Sequence, residues 1–156
     1  MIEAIIFSIF LVMSFMGITI YNTKEIPESI SAMVWGLKGD LKWLWSIWLL
    51  AVSILTFVPA IEILDTNGLG IIGFLSMVCI SFVAILPLFD REHVMWHNIF
   101  AIIGGVLSQV SVALINPWWL LMWLITPIVF IKPLRSKYVM ILEIICYVSQ
   151  IGADIL

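Results

Sequence analysis

The sequence predicts an all-α, polytopic integral membrane protein folded as a six-transmembrane-helix bundle. Three observations carry that prediction. Hydrophobic residues make up 63% of the 156-residue chain and charged residues only 11%, where soluble domains average about 45–50% and about 25%. The mean hydropathy is +1.21, so a soluble fold could not cover its own core, and a bilayer is the solvent that resolves the excess. The apolar residues also fall into six segments, at 4–21, 41–61, 69–87, 94–115, 117–131 and 138–154. About 20 residues at about 1.5 Å rise cross a hydrocarbon core of roughly 30 Å, and most of these segments meet that length. One transmembrane domain over residues 1–156 is the expected organisation, with short connections that make sequence neighbours antiparallel.

The first segment opens Met-Ile-Glu-Ala-Ile-Ile-Phe, without a basic n-region or a small-residue cleavage site, and reads as a retained span and not a removable signal. A polar interval follows from Tyr21 to Trp45, the longest in the chain. The second and third segments are joined by Asp65-Thr66-Asn67-Gly68, whose side chains suit a turn. Between the fourth and fifth stands Asn116-Pro117, with Asn116 as N-cap and Pro117 at the first helical position. The fifth segment is short: as an α-helix its 15 residues would cross only about 22 Å, and Pro127 in its interior predicts a kink.

Charge placement argues that the fifth segment crosses nonetheless. With six spans, the odd loops at 22–40, 88–93 and 132–137, with their immediate flank, hold all seven basic residues: Lys24, Lys38, Lys42, Arg91, Lys132, Arg135 and Lys137. The opposite side has only Glu3, Glu62, Asp65 and Asp154. Without a fifth crossing the basic residues would divide four against three. The positive-inside rule therefore places the basic loops in the cytoplasm and both termini on the non-cytoplasmic side. Trp43, Trp45 and Trp96 mark the basic interface, and Trp118 and Trp119 mark the other. Cys79 and Cys146 each lie in an apolar run, where thiols behave as small hydrophobes and no disulfide framework is implied.

Three places could carry chemistry. The stretch from Ser29 to Trp35 is nearly apolar. Physical reasoning favours an interfacial segment lying on the headgroups, anchored by Trp35 and lysines. The sharper alternative tucks it against the bundle, with the Ser29 and Ser31 hydroxyls lining a polar pocket. The second place is Asp90-Arg91-Glu92-His93-Val94-Met95-Trp96-His97-Asn98. If helical, Asp90, His93 and His97 share a face at i, i+3 and i+7, as metal ligands would, although histidines bonded to headgroups or loop backbone account for the same residues and are favoured. His97 and Asn98 within a span need a partner or a role. The third is Glu143, an intramembrane carboxylate about 9 Å beyond the boundary at Lys137. Ser29, Ser31, His97, Asn98 and Glu143 form the candidate polar pocket. Ser108, Gln109, Ser111, Ser149 and Gln150 read as hydrogen-bonding glue between spans, and Gly104-Gly105 as close helix packing.

Ile26-Pro27-Glu28-Ser29-Ile30-Ser31-Ala32 after a first span, with His97-Asn98 opening a later one and Ala101 a turn on, resembles the Frag/DRAM/Sfk family of six-span membrane proteins. Those proteins carry a Pro-Ser-Ile-Ser-like segment in the first loop and a His-Asn-like pair further on. The resemblance implies a small polytopic protein concerned with membrane lipids, GPI-lipid remodelling or autophagy-linked membranes. It singles out Pro27, Ser29, Ser31, His97 and Asn98. The chain is short for that family.

The expected function is thus that of a lipid-interacting multi-pass protein with no assignable reaction, no catalytic residue and no cofactor. Membrane lipids are its expected partners, with homo-oligomers open and no nucleic acid. Two alternatives stand beside it. One is a zinc-dependent hydrolase resembling the alkaline-ceramidase and adiponectin-receptor type, whose ligand set two histidines could fill only with Asp90 or Glu143. The other is an oligomeric channel or holin-like assembly, for which only the outer half of the fourth span offers a polar stripe.

Overall fold

A computed structural model describes residues 2–23, 26–31, 33–37, 40–89, 94–130 and 136–155, and the described residues form helices and short turns without a strand. The helices are α1 (Ile2–Thr23), α2 (Met33–Gly36), α3 (Asp40–Asp65), α4 (Gly70–Ile85), α5 (Val94–Ile115) and α6 (Tyr138–Ile155). A short 3₁₀ turn, Leu86–Leu88, extends α4, and a long 3₁₀ helix, Pro117–Phe130, lies between α5 and α6. Five helices (α1, α3, α4 with its 3₁₀ extension, α5 and α6) are long and apolar enough to cross a bilayer.

Local chemistry sets the joints. α3 ends in a Schellman motif: Gly68 takes φ +70°, Leu69 N–H donates to Leu64 O at 3.0 Å and Gly68 N–H to Asp65 O at 2.9 Å. The positive φ suits glycine because a Cβ there would clash with its own backbone. At the next joint Asn116 caps as its side chain predicts, with Oδ1 accepting from Trp118 N–H at 3.3 Å, and Pro117 follows as the first helical residue.

What Asn116 caps is a 3₁₀ helix of 14 residues, where the sequence predicts a short kinked α-helix. Its exposure repeats every three residues: Trp118, Leu121 and Leu124 are exposed at 76%, 54% and 74%, and Pro127 is exposed too. That is the period of a helix with three residues per turn, in which i and i+3 eclipse. At about 2.0 Å per residue the segment is about 28 Å long, where an α-helix would reach only about 21 Å.

α3, α4 and α5 pack in sequence, and α6 sits between α3, α5 and the long 3₁₀ helix. α1 lies on α3, where Phe15 stacks on Trp48 at 4.4 Å and Trp48 Nε1 donates to Leu11 O at 2.9 Å. An apolar core cluster lies at the basic end. It joins Met33 and Val34 of α2 to Trp45, Trp48, Leu49 and Val52 of α3 and Val83 and Ala84 of α4.

Polarity in this bundle is inverted relative to a soluble fold. Ile6, Phe10, Met13, Leu44, Ile47, Ile71, Ile102, Val106, Trp118 and Leu124 are exposed, while Ser8, Ser53, Thr56, Ser76, His97, Ser108, Ser111, Ser149, Gln150 and Asp154 are buried. Buried hydroxyls must find partners inside the protein, and several do. Ser8 Oγ lies 3.0 Å from Thr56 Oγ1 and 2.7 Å from the Tyr147 hydroxyl, tying α1, α3 and α6 together. Ser76 Oγ donates to Gly104 O at 2.9 Å and Ser53 Oγ to Met77 O at 3.2 Å. The glycine pair divides: a Cβ on Gly104 would lie 2.8 Å from Ile80 Cδ1 and 3.1 Å from Cys79 Cβ, whereas Gly105 faces open space. Of this pair, Gly104 is the packing glycine.

Candidate functional site

The first loop lies against the bundle, not flat on its rim. Ser29 is 5% exposed, Met33 5% and Val34 fully buried, and the loop backbone is fastened to the start of α6 at four points. Lys137 Nζ donates to Ile26 O. Met140 N–H donates to Glu28 O at 3.1 Å, which satisfies one of the four N–H groups that a helix leaves without an intrahelical partner at its first turn. Ile30 N–H and Ser31 N–H both donate to the Glu143 carboxylate, at 2.5 Å to Oε2 and 3.2 Å to Oε1. The two serine hydroxyls lie 3.4 Å apart. Helix start and loop therefore exchange partners: the loop carbonyl caps the helix, and a carboxylate one turn in caps the loop.

The sequence offers a simple reason for the arrangement. Pro27 has no N–H, and it holds Ile26 away from the α region, so the Ile26 carbonyl is free to accept. Three residues on, Ile30 and Ser31 present adjacent N–H groups, and adjacent amides suit the two oxygens of one carboxylate. A glutamate carboxylate held against an apolar bundle without partners is costly. Here its hydrogen bonds come from the loop main chain at Ile30 and Ser31 and from the Ser31 hydroxyl.

Ser29, Ser31 and Glu143 are thus brought together. His97 is fully in the interior, 2% exposed, beside the Val83 main chain, and Val83 belongs to the same apolar cluster as Met33 and Val34. The loop and His97 end on one cluster. Asn98 does not join them: it is exposed, because successive residues of a helix diverge by about 100° and cannot share a face. Asp90 and His93 lie outside the described residues, so the metal set proposed from spacing is represented by His97 alone. Among the described residues no group of three His, Cys, Asp or Glu side chains is close enough to hold a metal ion.

A second polar assembly fills the opposite end of α6. Ser108 Oγ donates to Gln150 Oε1 at 2.9 Å, and Gln150 Nε2 donates to Asp154 Oδ1 at 3.0 Å. Gln109 Oε1 accepts from Trp123 Nε1 at 2.8 Å and from Ser149 Oγ at 3.0 Å. Ser108, Gln109, Ser149 and Gln150 therefore do bridge helices, while Ser111 bonds back to Leu107 O in its own helix. Asp154, which closes this chain, is not among the residues singled out from the sequence, and no local pattern around it marks it as buried.

Compared with protein-family models, with curated proteins and with solved structures, the chain finds no match.

Proposed function

We propose that the chain is a six-span integral membrane protein that interacts with lipid through its outer surface, with both termini on the non-cytoplasmic side and the docked first loop covering the cytoplasmic ends of α5 and α6. The observation that carries this reading is the inverted polarity: apolar side chains outside, hydroxyls, amides and a histidine inside. The sixth crossing is the long 3₁₀ helix. Its length of about 28 Å approaches the roughly 30 Å of a hydrocarbon core, and its Trp118–Leu121–Leu124–Pro127 stripe gives it an apolar outer face. The resemblance of the Pro27–Ser31 segment and His97 to the Frag/DRAM/Sfk proteins supports a lipid-related role, and no reaction is assigned.

Two measurements test the reading. In a background with Cys79 and Cys146 replaced by alanine, Asn116→Cys and Ser136→Cys should react with an impermeant maleimide from opposite sides of sealed vesicles. Labelling from one side would mean that the 3₁₀ helix does not cross, and the sidedness would fall with it. Brominated phospholipids should quench the tryptophan fluorescence of the reconstituted protein, with part of the quenching lost in Trp118→Leu. Tryptophans indifferent to bromolipid would refute contact with lipid.

A further inference from the structure

Asp154 is 1% exposed and has one oxygen engaged by Gln150 Nε2. Its other oxygen, Oδ2, is buried with no hydrogen-bond partner among the described residues. A buried carboxylate left half-satisfied is among the most expensive groups a membrane span can hold, and such groups are met with a positive partner or neutralised. Among the described residues no basic side chain supplies one. The elements packed against α6 are α3, α5 and the long 3₁₀ helix; at this end α5 offers Ser108 and Gln109 and the 3₁₀ helix Trp119 and Trp123, none of them charged, and the charged groups of α3 there are acidic. The other acidic groups at this end, Glu3, Glu62 and Asp65, are exposed, and Cys146 lies two turns back along α6. The nearest described basic residue along this part of the chain is Lys137, just before α6 and about 25 Å away along the axis, and Lys42 lies in the first turn of α3 at that same far end.

We infer that the outer ends of α5 and α6 form a binding site for a small monovalent cation, a proton or an alkali ion, with Asp154 Oδ2 as its anionic ligand. Gln150 and Ser108 orient that ligand. Gln150 holds Oδ1, and Ser108 holds Gln150 in turn through Oε1, so the carboxylate is fixed with Oδ2 turned to the interior. The same lone oxygen serves either ion: it accepts a proton as one O–H bond, or contributes one oxygen to an alkali-ion shell completed by water. The inference uses α6 as a membrane span, as proposed above, and goes beyond lipid contact.

Infrared difference spectra of the full chain in nanodiscs test it. One arm changes pH at constant salt and reads the C=O stretch of a protonated carboxyl. The other exchanges choline for sodium at constant pH and reads the carboxylate stretches. The site predicts a signal in one arm that Asp154→Asn abolishes and Glu143→Gln leaves in place, the arm identifying the ion. Ser108→Ala, which keeps the carboxylate, should shift its midpoint about fivefold, as loss of one hydrogen bond would. Spectra in which Asp154→Asn removes nothing from either arm overturn the inference, as does a midpoint unmoved by Ser108→Ala. Neither outcome depends on the maleimide labelling, so a failed topology and a failed site are told apart.

Discussion

If Glu143 holds the first loop, removing its carboxylate should loosen that loop by an amount the geometry sets. Glu143→Ala deletes the acceptor of two main-chain N–H groups, on Ile30 and Ser31. A hydrogen bond to a charged acceptor contributes about 1.5–3 kcal/mol when buried. These two are only part-buried, so solvent screening reduces the pair to about 2–3 kcal/mol in total. At 1.4 kcal/mol per tenfold, opening of the loop becomes about 30- to 150-fold more frequent. The assay is hydrogen–deuterium exchange read by mass spectrometry on peptides spanning residues 26–37, and the acceleration should centre on Ile30 and Ser31. Upstream, the Lys137–Ile26 and Met140–Glu28 bonds remain, so the change there should be smaller. Glu143→Gln keeps an acceptor without the charge and should fall between the two. Equal exchange in wild type and Glu143→Ala would refute the idea that this carboxylate fastens the loop.

Other expectations follow from single contacts. A Cβ on Gly152 would lie 2.4 Å from the Trp119 ring, so Gly152→Ala should destabilise the bundle by about 1–3 kcal/mol, seen as earlier thermal unfolding in detergent, while Gly105→Ala, facing open space, should leave the midpoint unchanged. Tyr147→Phe removes one of two partners of the buried Ser8 hydroxyl and should cost about 1 kcal/mol in the same assay. A disulfide between cysteines placed at positions 31 and 143 should form readily under mild oxidation, because the main chain of one meets the side chain of the other. A pair at 31 and 98 should not, since Asn98 is turned outward.

Much of the fold was legible because hydropathy and length are properties of contiguous sequence. The segment at 94–115 coincides with α5, and the others differ from their helices by a few residues, chiefly because polar ends such as Glu62 to Asp65 continue α3 beyond its apolar stretch. The form of the fifth segment was not legible. Its composition suits an α-helix as well as a 3₁₀ helix, and the choice shows only in the three-residue period of its exposure. At the candidate site the residue types were visible and their pairing was not: Glu143 stands 112 positions from Ser31, and no local pattern encodes such a contact. The separation of Asn98 from His97 could have been read, since adjacent helical residues never share a face. The burial of Asp154 was not legible, because it rests on the chain from Ser108 through Gln150, whose first link joins residues 42 positions apart.

The seam between the first loop and α6 bears on how the protein is made. Residues 26–31 leave the ribosome long before the helix that receives them, and the partners of Ile30 and Ile26 lie 113 and 111 residues further on. At about 5–20 residues per second, the loop waits roughly 6–20 s before Glu143 exists to hold it. Through that interval its apolar Ile30, Met33 and Val34 have neither α6 nor a finished bundle to cover them. Synthesis of the last helix is therefore also the event that closes the first loop, and a chain stalled before residue 138 would keep an open, sticky loop face, the feature by which quality control could distinguish an unfinished copy from a finished one.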